Sequence, residues 1–186
     1  MKAPKKLIAY HIILSHPEDK IIFWKDMELG TFQMVFEDFL MDGLHALAYC
    51  LLPDRMEIAA KSNKALTIEE LGENLRNIMA IYDQFFGPCA EDPSLLPETR
   101  WTVRKVGNHR ELREIIGSIH SLPVDRKLVE KAHEWEHSTY IDYRYEEPGL
   151  IEPSLIRDII RDIQGMPDLP INFPEPEEGP SGLFID

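Results

Sequence analysis

Residues His133-Glu134-Trp135-Glu136-His137 read His-Glu-x-x-His. On a helix that spacing puts two imidazoles on one face to hold zinc, with the glutamate as general base. A third ligand would come from downstream, where Glu146, Glu147 and Glu152 are nominal candidates. However, Ser138-Thr139-Tyr140 follows at once and reads as a helix ending, so a solvated helix end is the better reading. His11 could also serve as a ligand; a strand-end histidine satisfied by backbone is the simpler role. Phosphate chemistry has a different signature. Arg100, Arg104, Lys105, Arg110 and Arg113 put five bases within 14 residues, opposed there by Glu111 alone. If nucleic acid binds, its phosphates should meet this stripe. The competing reading is an ordinary solvated strand and helix face. Trp101 lies in the stripe and is the better stacking candidate for a base, although core packing also explains it. Phe32, Phe36 and Phe39 recur at helical spacing and read as core, and His120 reads as packing or surface.

Such residues need elements to hold them. Leu7–Leu14 is an Ile-rich run closed by Ser15-His16-Pro17 and reads as a strand. Met27–Met41 places its Phe, Val and Leu residues on one helical face, with Gly43 beyond its end. Leu44–Leu52 reads as a buried strand and Met56–Ala60 as its return. The tight Pro53-Asp54 junction makes them a hairpin. Thr67-Ile-Glu-Glu70 is a capping box opening a helix with Leu71, Leu75, Ile78, Met79, Tyr82 and Phe86 on one face. Arg100–Val106 alternates as a half-exposed strand should. Asn108 caps a helix with Leu112, Ile115, Ile116 and Ile119 inward. Leu122-Pro123 should break it, and Val124–Trp135 should start another. Beyond a Pro148–Pro153 linker, Ser154–Gln164 reads as a short amphipathic helix, and from Met166 the chain is Pro-rich and acidic. The order predicts an α+β, ferredoxin-like β-α-β-β-α-β sandwich with an antiparallel sheet and extra C-terminal helices.

Composition bounds the partners. The chain has 186 residues, 44% hydrophobic and 28% charged, enough to bury a core. Its net charge of −13 excludes a strongly basic nucleic-acid binder. That charge is uneven: residues 146–186 carry 10 acids and 2 Arg, net −8, whereas residues 1–145 are at net −5. The division implies a body over 1–145 and an acidic C-terminal extension over 146–186. Cys50 and Cys89 form no disulfide framework and no zinc quartet, which points to a reducing cytoplasm. The basic N-terminus lacks the pattern of a signal peptide. No apolar run is long enough to span a membrane.

One stretch carries a family likeness. Ala48-Tyr49-Cys50-Leu51-Leu52-Pro53-Asp54-Arg55-Met56-Glu57-Ile58-Ala59 resembles the Ala-Tyr-Val-Leu-Met-Pro-Asn-His-Val-His-Leu-Leu stretch of the REP-associated tyrosine transposases, HUH-type single-strand DNA transposases. The similarity is co-linear over residues 7–145. His11, Ile22-Phe23 and the Phe-rich helix resemble the family's start, and Leu71–Phe86 its second helix. Arg100-Trp101 stands where the family has Arg-Phe. Ser118-Ile119-His120-Ser121-Leu122-Pro123-Val124 resembles Tyr-Ile-His-Leu-Asn-Pro-Val, and Ser138-Thr139-Tyr140 its closing Ser-Ser-Tyr.

The resemblance implies a DNA transposase and endonuclease fold. In that family a tyrosine hydroxyl attacks a phosphodiester, with a divalent metal held by a His-x-His pair. Here the His positions are Arg55 and Glu57 and the nucleophile position is Ser118. Residues i and i+2 of a strand share a face, so Arg55 and Glu57 can pair where the metal would sit. Tyr140, Tyr143 and Tyr145 match the family's structural tail. The expectation is a diverged, inactive relative with no metal ligands, which binds hairpin or single-stranded DNA through Arg100, Trp101, Arg104, Lys105, Arg110 and Arg113. A homodimer is expected by resemblance. The alternative is a protein-interaction module reusing the fold, with the acidic tail as a partner surface or an autoinhibitory cover.

Overall fold

In the first strand, β1 (Ala9–Ser15), Tyr10, Ile12 and Leu14 are fully buried, while His11, Ile13 and Ser15 on the opposite face are half-buried. This two-residue period commits one face of the sheet to a closed core. The computed structural model describes residues 8–18, 20–23, 26–40, 43–86 and 99–145. After β1 come α1 (Asp26–Phe39), β2 (Leu44–Leu52), β3 (Arg55–Ser62), α2 (Ile68–Phe86), β4 (Arg100–Val106), α3 (His109–Asp125), a 3-10 turn (Ala132–Glu134) and α4 (Tyr140–Tyr145). The strands form one antiparallel sheet in the order β2-β3-β1-β4. This is the α+β architecture that the element order predicts. The acidic extension over 146–186, the helix at 154–164, Trp24 and Cys89 lie outside the described residues.

Helices α1 and α2 cover one face. Tyr10, Ile12, Leu14, Tyr49, Leu51, Met56 and Ile58 of the sheet meet Phe32, Phe36, Leu71, Leu75, Ile78 and Tyr82 there. Phe23, Phe32 and Tyr82 form a tilted and edge-on ring cluster with centroids 5.0–5.9 Å apart. The α2 capping box is present: Glu70 N–H donates to Thr67 Oγ1 at 3.1 Å, and Thr67 N–H donates to Glu70 Oε2 at 2.7 Å. The two helices together carry eight acids and one base, Arg76, whereas β4 and α3 carry five bases and three acids.

Helix α3 covers the other face, chiefly over β2 and β3. Its Leu112, Ile115, Ile116 and Ile119 meet the small or short side chains Ala48, Cys50, Ala59 and Ala9. A bulge between Ala46 and Ala48 breaks the β2–β3 register. It lets Leu47 and Ala48, neighbours in sequence, both join the α3-side core. Tyr143 Oη–H donates to the Leu47 carbonyl at this bulge.

Two expectations need correction. Pro123 does not break α3, which runs through it to Asp125. A proline removes one intrahelical donor, and here it lies in the last turn with its ring buried. The helix then stops in a Schellman arrangement: Leu128 N–H donates to Pro123 O and Lys127 N–H to Val124 O, with Lys127 at φ 58°. No second α-helix follows from Val124 to Trp135. His133 sits in a 3-10 turn and His137 is buried beyond it, so the His-Glu-x-x-His letters never share a helical face.

Candidate nucleic-acid interface

The hairpin turn Pro53-Asp54 is fixed from outside: Ile22 and Phe23 N–H both donate to the Pro53 carbonyl, at 2.7 and 2.9 Å. Strand β3 starts directly after it, and alternation sends Arg55 and Glu57 to the α3 side while Met56 and Ile58 enter the opposite core. There Arg55 Nη1 donates to Glu57 Oε1 at 3.3 Å, and His11 Nε2 lies 3.2 Å from Glu57 Oε2. Asp54 extends the chain of charges. Its carboxylate is 3.5 Å from Arg55 Nε and 3.2 Å from Arg126 Nη1, just past α3. The Glu57 side chain is 9% exposed. Burial alone would raise its pKa, but His11 and then Arg55 outweigh burial and hold it below the ordinary carboxylate value.

This corrects the reading of His11. It is not a strand-end histidine satisfied by backbone, because it stands inside β1 and is paired to a carboxylate. The arrangement does not suit a divalent ion. Both oxygens of Glu57 are engaged, and a cationic guanidinium sits at one of them. Among the described residues no group of three or more His, Cys, Asp or Glu is arranged to hold a metal.

Ladder register places further residues beside this cluster. Ser15 is opposite both Arg55 and Arg100, and His11 is opposite Arg104. Directly paired residues share a face, so Arg55, Ser15 and Arg100 form one row across three strands, and Ile13 and Thr102 lie in the next. Helix α3 meets β4 near its end, through Val106 and the Arg104–Glu111 ion pair. The rest of the β1–β4 half stays open: Arg100, Thr102 and Arg104 are exposed. Backbone donation from Gly107 at 2.7 Å, and then Arg104, hold Glu111 below its ordinary pKa.

The predicted basic stripe is therefore divided. Arg100 and Arg104 face the α3 side, whereas Trp101, Val103 and Lys105 fall on the opposite side of β4. Trp101 is half-buried there against the α1–α2 core. Arg110 pairs with Glu114 one helical turn on, at 3.1 Å. Ser118 is exposed on α3, where Leu112, Ile115, Ile116, Ile119 and His120 turn inward. What bonds at Ser118 is its carbonyl, which accepts from Ser121 Oγ at 3.0 Å.

His120 closes the opposite edge of the sheet. Leu51 N–H donates to His137 O at 2.9 Å, and Thr139 N–H donates to Tyr49 O at 3.1 Å, so residues 137–139 lie along β2. Trp135 Nε1–H adds a bond to the Leu51 carbonyl at 2.9 Å. Thr139 Oγ1 accepts from Tyr49 N–H at 3.0 Å, donates to Tyr49 O at 3.2 Å and lies 3.1 Å from His120 Nε2. With its one proton so used, the hydroxyl accepts from His120, which is neutral and protonated on Nε2. Burial pushes the His120 pKa down to about 4. Tyr140 and Tyr143 are edge-on to its ring.

A four-stranded β2-β3-β1-β4 sheet with α1 and α2 on one face and α3 on the other is a transposase-type fold. It is similar to a solved REP-associated tyrosine transposase bound to a REP hairpin, with a TM-score of 0.54 and 14% sequence identity over 81% of this chain and 90% of the other. The chain thus has the REP-associated tyrosine transposase fold. A protein from Deinococcus radiodurans R1, assigned as a transposase, aligns at TM-score 0.38 and 16% identity over 63% of this chain and 97% of that one. No protein-family model and no curated protein match the sequence. No helix among the described residues is long and apolar enough to cross a membrane.

Proposed function

We propose that this chain is a diverged, catalytically inactive tyrosine-transposase-like domain that binds hairpin or single-stranded DNA on the open half of its sheet. The observation that carries the reading is the row Arg55–Ser15–Arg100, whose Arg100 end lies exposed with Thr102 on the half of the sheet that α3 leaves open, with Arg104 two rows further along the same face. Arginines on an open surface supply the phosphate contacts that dominate affinity for nucleic acid. The solved neighbour of the same fold holds a REP hairpin. Cleavage is a separate matter. A transesterification needs an activated nucleophile and charge stabilisation at the phosphate. The matching positions here hold an exposed serine and the Arg55–Glu57 pair.

Fluorescence anisotropy with a labelled single-stranded hairpin, in a series of salt concentrations, tests the reading. Binding with a negative salt slope and no strand scission in manganese or magnesium is the expected result. Absence of binding at low salt, both for the full chain and for one ending at residue 145, would sink it. Light scattering checks the homodimer carried over from the resemblance.

A second reading has its own observation, the net −8 of residues 146–186. In it the fold is reused as a protein-interaction module, and the acidic extension meets a partner or covers the basic face. DNA binding that appears only after removal of residues 146–186 supports the cover. A module for protein alone binds DNA in neither form.

A further inference from the structure

The place where the resemblance implies a divalent cation is occupied by a permanent positive charge. Arg55 is clamped on the α3 face by two carboxylates, Glu57 at 3.3 Å and Asp54 at 3.5 Å. Of the pair with Glu57, the carboxylate is the deeper member: its side chain is 9% exposed and that of Arg55 20%. The guanidinium therefore stands between a buried anion and the open surface. This resembles the position of a bound metal ion, which is held from behind by protein anions and presents its charge outward. Arginine suits the role. Its charge is not lost at any ordinary pH, and its planar fork can serve a carboxylate behind it and a phosphate in front. Arg126, 42% exposed, shares Asp54 and adds a second cation at this end of the sheet. Arg100 lies in the same row, two strand spacings or roughly 10 Å away, with the Ser15 hydroxyl between them in register.

We propose that the Arg55 guanidinium stands in for the divalent cation and itself contacts a backbone phosphate, so that polynucleotide binding on this face needs no metal. The proposal rests on the DNA-binding reading above and adds to it the contact and the metal independence. No bond is made or broken. The ligand is a phosphodiester anion, and Ser15 and Arg100 extend the site along the strand.

The test uses the full chain and a labelled single-stranded hairpin, with anisotropy read in EDTA and in manganese over a salt series. The wild type should bind equally in both. Arg55→Ala should weaken binding and reduce the salt slope by about 1, whereas Arg55→Lys, which keeps the charge, should retain the slope. Thermal melts of each variant establish that it is folded. Calorimetric titration with manganese alone gives a readout independent of DNA. The wild type should show no stoichiometric site, and Arg55→His/Glu57→His, which recreates a His-x-His pair on one strand face, should gain one. Stoichiometric manganese binding by the wild type, or hairpin binding that requires manganese, would overturn the metal independence. An unchanged affinity and slope in folded Arg55→Ala would overturn the phosphate contact while leaving DNA binding intact. Failure of the wild type to bind DNA both as the full chain and as a chain ending at residue 145 overturns the underlying reading and this contact with it.

Discussion

Glu57 and His11 meet diagonally across the β1–β3 pair: Oε2 and Nε2 are 3.2 Å apart, although their direct opposites are Ile13 and Ala59. The contact belongs to a pair of long side chains leaning along the strands, and it gives a buried carboxylate its second partner. Glu57 has a folded pKa below its ordinary value of 4.5, so the unfolded chain binds the proton more readily. Its contribution to stability is complete above that ordinary value and is lost as pH falls through the lowered one. Urea unfolding across the acid range should show this loss in the wild type, and Glu57→Gln should flatten it.

His120 has the opposite chemistry and a different window. Its pKa falls from 6.5 in the unfolded chain to about 4 in the fold. Above pH 6.5 it is neutral in both states and adds no pH dependence. Below that the unfolded chain takes a proton that the folded one refuses, so stability drops as pH falls towards 4 and levels off beneath. The two limits differ by about 3 kcal/mol at ~1.4 kcal/mol per unit. His120→Gln keeps a donor for Thr139 and removes the ring's titration, and chemical denaturation at pH 7 and pH 4.5 should show the slope gone.

Tyr143 and Thr139 seal β2 through groups that would otherwise be unpaired in the interior. Tyr143→Phe leaves the bulge carbonyl of Leu47 without its donor, and Thr139→Val strips the backbone of Tyr49 and the ring of His120 of a shared partner. Each should cost about 1–3 kcal/mol in equilibrium unfolding. The double variant should cost less than the sum, because both act on one edge segment.

The two sides of β4 should behave differently towards DNA. Arg100→Ala removes a cation from the open face and should lower the salt slope of hairpin binding by about 1. Lys105→Ala removes one from the other side of the strand and should leave the slope unchanged. Equal effects would mean that DNA approaches the strand edge rather than the face.

Much of this architecture was readable from periodicity. The Thr67–Glu70 capping box, the Asn108 cap and the Pro53-Asp54 hairpin are local signals, and each of them forms. Pro123 misled because proline ends helices through a steric clash with the preceding turn, yet near a C-terminus only one bond is at stake. The helix expected over Val124–Trp135 gives way to bonds that Trp135 and His137 make along the β2 edge. The pairing of Arg55 with Glu57 follows from strand alternation, which a sequence reveals. His11 as the third member does not, since it depends on the register between β1 and β3, set by contacts 46 residues apart. The division of Arg104 from Lys105 follows from alternation, but which side lies open depends on where α3 settles.

The eight acids of α1 and α2 sit on one side of the sheet and the arginines of the open face on the other. Among the described residues, charge is thus unequally divided through the thickness of the sheet, in the sense of a dipole. A polyanion exerts a torque on such a body before touching it, turning the arginine side forward and the helical side away. The net negative charge then slows approach without misdirecting it, and productive encounters are set by orientation as much as by attraction. Added salt erases that alignment within a Debye length of about 10 Å at 0.1 M, so the association rate should fall with ionic strength even though the molecule as a whole is an anion.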